Sequence, residues 1–267
     1  MTALAPTLEA FFTERLVRQR HASPHTIASY RDAFRLLLLF VQDAAGTPPA
    51  KLAIEDLDAP LVGAFLDHLE VRRGVVASTR NARLAAIHSL FRFAALRHPE
   101  HAALIQRVLA IPTKRTDHPD ISYLTGVEID ALLAAPDLTT RLGRRDRALM
   151  AVAVQTGLRA SELVGLRRQD VTLGTGAHLT CTGKGRKQRT TPLTAGVAAV
   201  VGTWLRERGG EADDAVFPGP RGQHLGRDAL RRIVARHVAT AATSCPSLAA
   251  KRVAPHVLRH TCAMQLL

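Results

Sequence analysis

Cysteine is scarce in this chain of 267 residues: Cys181, Cys245 and Cys262 form no CxxC pair and no even set. That excludes a disulfide framework and a CxxC-built structural zinc site, and it points to a reducing compartment. Long apolar runs are missing as well. The longest, Leu36 to Val41 and Ala148 to Val154, fall far short of the roughly 20 residues a membrane helix needs. The N-terminus, Met1-Thr2-Ala3-Leu4-Ala5-Pro6, lacks the basic start and apolar stretch of a secretory leader. A cytoplasmic protein with no membrane contact is the resulting expectation. Negative charge is also short: 36 Lys+Arg face 23 Asp+Glu, leaving +13. Lysine itself is rare, with only Lys51, Lys114, Lys184, Lys187 and Lys251, so the surplus is arginine. The planar guanidinium fork suits bidentate phosphate contacts, so a polyanionic partner is expected. GC-rich coding would explain arginine over lysine but not the excess of positive over negative charge.

Along the chain, the first part reads as helical. Leu8, Phe11, Phe12 and Leu16 share one helix face. Ser23-Pro24 opens a second helix that carries Ile27, Tyr30, Phe34, Leu37 and Leu38 inward as far as Gly46. A third runs from about Pro60 to Arg73. A fourth starts at the cap Ser78, with Leu84, Ile87, Leu90, Phe91 and Ala94 on one stripe and Arg80, Arg83 and Arg92 on the other face. A short helix over about 102–110 completes the set. The stretch Ile111 to Ser122, with two prolines and no periodicity, reads as a boundary. The expected division is therefore a helical domain over 1–111, a linker over 112–122 and a second domain over 123–267.

In that second domain Thr125-Gly126-Val127-Glu128 is a capping box. Helices are expected over about 144–155, 160–166, 194–208, 227–242 and 256–267. Between Gln169 and Pro192 the segments Val171–Leu173, His178–Cys181 and Arg189–Thr191 are β-prone and separated by glycines. They predict a small antiparallel sheet with a hairpin near Gly183–Lys187. The fold class is thus mainly α with a small antiparallel β-sheet.

Four basic residues stand in suggestive surroundings: Arg159 in Thr156-Gly157-Leu158-Arg159-Ala160-Ser161-Glu162-Leu163, Lys184 in Gly183-Lys184-Gly185-Arg186-Lys187-Gln188-Arg189, and His256 and Arg259 in His256-Val257-Leu258-Arg259-His260. Cutting a phosphodiester without a metal requires charge neutralisation on the non-bridging oxygens, a proton for the leaving oxygen, and an attacking group. Arg159 and Arg259 suit the first need through charge-assisted bonds. Lys184, on a glycine-flanked turn, suits the second, since cationic surroundings favour proton release. His256, three residues before Arg259, shares its helix face and could bond the phosphate or accept a proton. His256 and His260 at i and i+4 also suit zinc, but position 257 is Val and no third ligand is evident.

These boxes resemble those of the tyrosine recombinase (phage integrase) family, especially its chromosome-dimer-resolving and transposon-associated members. TGLRASELVGL is similar to the box of the first catalytic arginine, GKGRKQRTTPL to the lysine-bearing β-hairpin, and HVLRHTCAMQLL to the His-x-x-Arg box. The helical first part is similar to the family's SAM-like core-binding domain. The resemblance implies Arg159, Lys184, His256 and Arg259 as catalytic residues, Glu162 as an arginine's acidic buttress and His260 as a supporting partner. It implies a C-shaped clamp on double-stranded DNA, a 3′-phosphotyrosyl intermediate, strand exchange in a tetramer, and no metal or other cofactor. DNA contacts are expected from Arg80 and Arg83, from Arg186 and Lys187, and from Arg227 and Arg231 in a basic stripe shared with Arg232 and Arg236.

One departure stands out. The family places a further His or Trp, and then the nucleophilic tyrosine, some tens of residues beyond the last box. The two tyrosines here, Tyr30 and Tyr123, both precede it, and the chain runs only to Leu267. The expectation is a catalytic domain truncated before its nucleophile, able to bind DNA but not to cleave it alone, with tetramer assembly dependent on the missing tail. The alternative is a non-catalytic DNA-binding remnant or regulator derived from an integrase.

Overall fold

A computed structural model describes residues 1–116, 122–183 and 188–265. The chain is mainly helical with one small three-stranded antiparallel sheet, and it divides into two compact units, Met1–His118 and Pro119–Leu267. Among the described residues no helix is long and apolar enough to cross a membrane.

The first unit is built from helices α1 (Leu4–Ala10, continuing as a π-helical stretch over Phe11–Gln19), α2 (Pro24–Ala45), α3 (Ala59–Val71), α4 (Ala77–Ala94) and α5 (Ala102–Leu109). The helix ends follow local chemistry. Ser23 Oγ accepts the Thr26 N–H at 3.2 Å and Asp58 Oδ1 accepts the Leu61 N–H at 2.9 Å, satisfying donors that a helix start leaves unpaired. Gly46 ends α2 at φ 67°, a conformation that costs other residues more. Phe11 is fully buried, with the rings of Phe12, Tyr30, Phe34 and Phe93 all within 6.2 Å of its centroid. Burying one such ring stabilises the fold by roughly 1.5–3 kcal/mol, so this cluster is the unit's anchor.

Helix α4 differs from expectation in two respects. It starts at Ala77 after an extended Val76 with no side-chain cap, so Ser78 lies inside its first turn. Arg80, expected on a solvated face, is only 6 % exposed. Its Nη1 donates to the Pro112 carbonyl at 3.0 Å and its Nε lies 3.9 Å from Glu70, fastening α4 to the segment that follows α5. Leu84, Ile87, Leu90, Phe91 and Ala94 are all buried, as their stripe requires.

The second unit contains α6 (Gly126–Ala134), α7 (Arg141–Thr156), α8 (Ala160–Gly165), strands β1 (Val171–Thr172), β2 (His178–Thr182) and β3 (Gln188–Pro192), then α9 (Ala195–Arg208), α10 (Arg227–Ala241) and α11 (Pro255–Met264). The capping box at α6 forms both ways: Thr125 Oγ1 accepts the Glu128 N–H at 3.4 Å and Glu128 Oε2 accepts the Thr125 N–H at 2.8 Å. The apolar run Ala148–Val154 is the centre of α7, buried on every side and packed against α6, α9 and α11. The order β1-β2-β3 is antiparallel throughout, with Leu179 opposite Thr191 and Cys181 opposite Arg189. Leu179 and Cys181 alternate into the core, as period two demands. Lys184, Arg186 and Lys187, and with them the expected hairpin tip, lie outside the described residues.

One acid ties α7 to α10. Asp146 has no solvent exposure, and its carboxylate receives Arg145 Nη2 at 2.7 Å, Arg236 Nη2 at 2.6 Å and His237 Nε2 at 2.9 Å. Burial pushes its carboxyl up, but the bonds from His237 and Arg145 outweigh that and hold it below the usual range.

Helix α7 ends at Gly157, where φ is 58° and a Cβ would lie 3.2 Å from Cys262 Sγ and 3.3 Å from Cys262 Cβ on α11. Backbone and space both select glycine there. Gly157→Ala is expected to destabilise the chain by about 1–3 kcal/mol, read as a lower urea midpoint at unchanged slope. Gly126→Ala, at a first-turn position where a Cβ would meet nothing within 4 Å, should be near neutral. Equal losses in the two variants would refute the strain argument.

Candidate active site

Beyond Gly157 the chain turns from α7 into α8 through Leu158 and Arg159, and Arg159 has the extended backbone (φ −64°, ψ 151°) of a residue just before a helix. Glu162, in the first turn of α8, returns its carboxylate to that start. Its Oε2 accepts the Arg159 N–H at 2.8 Å, and its Oε1 accepts Arg159 Nη1 at 2.9 Å. The Glu162 side chain is only 4 % exposed, whereas that of Arg159 is 50 % exposed. Burial pushes the Glu162 carboxyl up, but the Arg159 backbone and side-chain bonds and the charges of Arg189 and Arg159 outweigh it and lower it. The acid is therefore an anion that steadies a half-exposed guanidinium, and its electron pairs are engaged by donors.

Arg259 comes from α11 and donates Nη1 to the Gly157 carbonyl at 2.7 Å. A cation at the C-terminal end of α7 meets the negative end of the helix dipole, which favours this placement. The bond sets Arg259 two residues from Arg159 along the chain, so the two arginine boxes converge. Cys262, one turn on, donates to the Gln155 carbonyl at 3.1 Å and closes the same seam. Burial pushes its thiol up, which makes it a packing residue and a poor thiolate.

His256 is exposed on α11, with its ring 6.0 Å from that of His260 at 82°. Both line a groove of about 1430 Å³ together with Ala160, the neighbour of Arg159. Among the described residues its remaining charged lining is Arg227, Arg231 and Arg232 from α10, Arg252, and a single acid, Asp228. The fourth arginine of the expected stripe, Arg236, points instead to Asp146, so the stripe splits between groove and core. The segment entering α11 is held by Lys251, whose Nζ donates to Glu128 Oε2 at 2.6 Å and to the Tyr123 carbonyl at 2.9 Å. Ser247 Oγ donates to the other oxygen of Glu128 at 2.7 Å.

The structure thus brings together Arg159, Glu162, Arg259, His256, His260, Arg227 and Arg231. Arg80 and Arg83 belong to the other unit, where Arg80 is buried and Arg83 Nη1 donates to the Ser29 carbonyl at 3.0 Å. Arg80 has little surface left for a phosphate in this conformation. Sequence reasoning missed Arg189, which donates Nη2 to Glu162 Oε2 at 2.8 Å and Nε to Cys181 Sγ at 3.3 Å. Strand alternation was the available signal: an arginine placed opposite an inward Cys181 needs an acid nearby. Tyr30 stacks on Phe11 in the helical core, and the ring of Tyr123 lies under the Lys251 ammonium at 6.0 Å.

The model of the Phage integrase family matches residues 122–267, and that of the phage integrase N-terminal SAM-like domain matches residues 10–98. The chain belongs to the phage integrase family of tyrosine recombinases. It is similar to a Sinorhizobium fredii (strain NBRC 101917 / NGR234) chain designated integrase/recombinase y4rC, with 53 % identity across 99 % of this chain and 80 % of that one. It shares 34 % identity with the tyrosine recombinase XerC of Pelobacter propionicus (strain DSM 2379 / NBRC 103807 / OttBd1), across 96 % and 80 % of the two chains. In fold it matches a Tn1549 transposon integrase solved in complex with circular intermediate DNA, at TM-score 0.72 and 15 % identity, covering 100 % of this chain and 87 % of that one. A λ integrase dimer bound to a COC′ core site matches at TM-score 0.70 and 18 % identity, covering 98 % and 89 %. The first unit of this recombinase is the SAM-like domain and the second the integrase catalytic domain.

In the recombinase's catalytic domain the segment leading into α11 is held by the Glu128–Lys251 pair, and the Glu128 carboxyl is shifted by it. Burial pushes the Glu128 carboxyl up, yet the Lys251, Thr125 and Ser247 bonds outweigh it and bring it from 4.5 to about 2. A carboxylate lowered on folding stabilises the fold fully above its unfolded value and loses that contribution as pH falls through its folded value. Stability should therefore decline as pH falls from 4.5 towards about 2. Glu128→Gln should be less stable at neutral pH and show a shallower decline in that window, followed by urea unfolding at stepped pH. Parallel pH curves for the two proteins would remove Glu128 from the account.

Proposed function

We propose that this polypeptide is the DNA-gripping and phosphate-activating part of a site-specific recombinase, whose reaction breaks and rejoins duplex DNA through a 3′-phosphotyrosyl intermediate. The observation that carries this reading is the convergence of Arg159, pinned by a buried Glu162, with Arg259, docked on Gly157, beside a groove lined by Arg227, Arg231, Arg232 and Arg252. Two fixed guanidinium groups suit the charge that accumulates on the non-bridging oxygens as a fifth oxygen approaches phosphorus. Their preorganisation means little reorientation is needed as that charge develops. His256, exposed at the groove, is assigned to the same phosphate, and Lys184 is assigned as the acid that protonates the departing 5′-oxygen. His260 supports His256 across the shared helix face.

The attacking tyrosine is assigned to neither Tyr30 nor Tyr123. Tyr30 is packed into the helical domain, and Tyr123 precedes α6 with Lys251 over its ring. These 267 residues are therefore proposed to hold DNA and activate the phosphate, and the completed reaction takes its nucleophile from a tyrosine outside them. Tetramer assembly on DNA belongs to that completed form. The other reading, a non-catalytic DNA-binding regulator, is less favoured because the Arg159–Glu162–Arg259 geometry serves phosphate chemistry beyond what simple binding requires.

Binding to duplex DNA should weaken by about 10³- to 10⁵-fold between about 50 and 200 mM salt if ~6–10 phosphates are contacted. Replacing Arg227, Arg231 and Arg232 together by Ala should make the log–log salt slope shallower by up to ~2.7, at about 0.9 per lost contact. A slope unchanged by the triple replacement would take the groove out of the DNA interface. Incubating the purified chain with a pool of nicked duplexes should leave no protein–DNA adduct on a denaturing gel. An adduct that survives denaturation would overturn the assignment of a missing nucleophile.

A further inference from the structure

Arg189 has no part in the chemistry assigned above, yet it meets the acid on which Arg159 depends. It lies on β3, opposite Cys181 on β2, so both side chains leave the same face of the sheet. That face looks onto α8. Arg189 Nη2 donates to Glu162 Oε2 at 2.8 Å, the same oxygen that takes the Arg159 backbone N–H at 2.8 Å, while its Nε donates to Cys181 Sγ at 3.3 Å.

The consequence for Arg159 is geometric. A glutamate's terminal torsion is broad, so a carboxylate held at one oxygen by one bond turns freely. Here Oε2 is held from two sides, by the start of α8 and by β3, and only then is Oε1 presented in a fixed place to Arg159 Nη1 at 2.9 Å. Packing cannot do this job, because the Arg159 side chain is 50 % exposed. A half-exposed ion pair with nothing behind it is loosely held. A network with a buried acid and a second cation is not.

We infer that Arg189 is a positioning residue of this recombinase: it locks the Glu162 carboxylate so that Arg159 is held ready for phosphate, and it ties β3 to the same acid. The inference rests on the reading of Arg159 as a phosphate clamp. It differs from a plain stabilising ion pair, which would change the melting temperature without changing the freedom of Arg159.

The test follows the Arg159 Nη–H resonance of the group bonded to Glu162 in ¹⁵N–¹H spectra of the 267-residue chain, assigned by its loss in Arg159→Lys. The expected result is a slowly exchanging wild-type signal whose exchange with water quickens roughly tenfold in Arg189→Gln, within the coupling range for residues of one network. Arg189→Lys, which keeps the charge but cannot also reach Cys181, should show a smaller change in the same direction, and it replaces Arg189→Gln should that variant fail to fold. An Arg159 signal unchanged in a folded variant overturns the inference. So does a wild-type signal already in fast exchange, since Arg159 would then not be held at all. Duplex-DNA affinity of Arg159→Ala is measured alongside. Weakened binding with an unmoved resonance defeats the positioning role alone, while wild-type binding with a responsive resonance defeats the clamp reading and leaves the Arg189 coupling standing.

Discussion

Glu162 carries a negative charge almost wholly withdrawn from water, and the donors that converge on it are what make that tolerable. Removing a carboxylate from water is costly unless its lone pairs are taken by hydrogen bonds and its charge is matched. Each bond that meets this need also fixes something else. The Arg159 N–H starts α8, Arg159 Nη1 orients a half-exposed guanidinium, and Arg189 draws in β3. The helix, the sheet and the half-exposed cation are set by one acid. A neutral residue of the same size would cap the helix without holding either arginine.

Two further acids repeat this logic at a distance. Asp146 joins α7 to α10 through Arg236 and His237, and so fixes the helix whose other end supplies Arg227, Arg231 and Arg232 to the groove. Glu128 joins α6 to the segment entering α11 through Lys251. Such pairs add little net stability compared with well-packed apolar side chains, but they are geometrically demanding. A cluster of leucines tolerates sliding by a fraction of an ångström, whereas a carboxylate with three donors has one arrangement. The catalytic domain thus uses apolar packing of α7 for cohesion and buried acids for alignment.

The legibility of this chain in its sequence follows the range of the forces involved. Helix ends set by adjacent residues were readable: Ser23-Pro24, Gly46 and the Thr125–Glu128 box all act within a few residues. The small antiparallel sheet was readable from β-prone segments separated by glycines between Gln169 and Pro192. Arg80 was not, since an arginine on a helix looks solvated until its partners, Pro112 and Glu70, are known from outside the helix. Ser78 misled because a good cap residue can sit two places too late when Val76 already turns the chain. At the site, Glu162 was readable as a buttress because it is near Arg159 in sequence, while Arg189, 27 residues away, needed the fold to bring it across. The splitting of the arginine stripe on α10 was hidden for the same reason, because Asp146 lies 90 residues from Arg236.

The net charge of +13 therefore has two meanings that composition alone runs together. One group of arginines is paired with acids: Arg145 and Arg236 with Asp146, Arg159 and Arg189 with Glu162, Arg144 with Glu207. Three acids offset most of the charge of these five arginines and so reduce what they add to the long-range field. Another group, Arg227, Arg231, Arg232 and Arg252, lines a groove whose only acid among the described residues is Asp228, and that imbalance is the attractive part. Arg159 stands between the two groups, half-exposed yet tied to a buried anion. That intermediate state is what a phosphate clamp requires. A fully paired arginine cannot turn to a substrate, and an unpaired one has no fixed place from which to meet it.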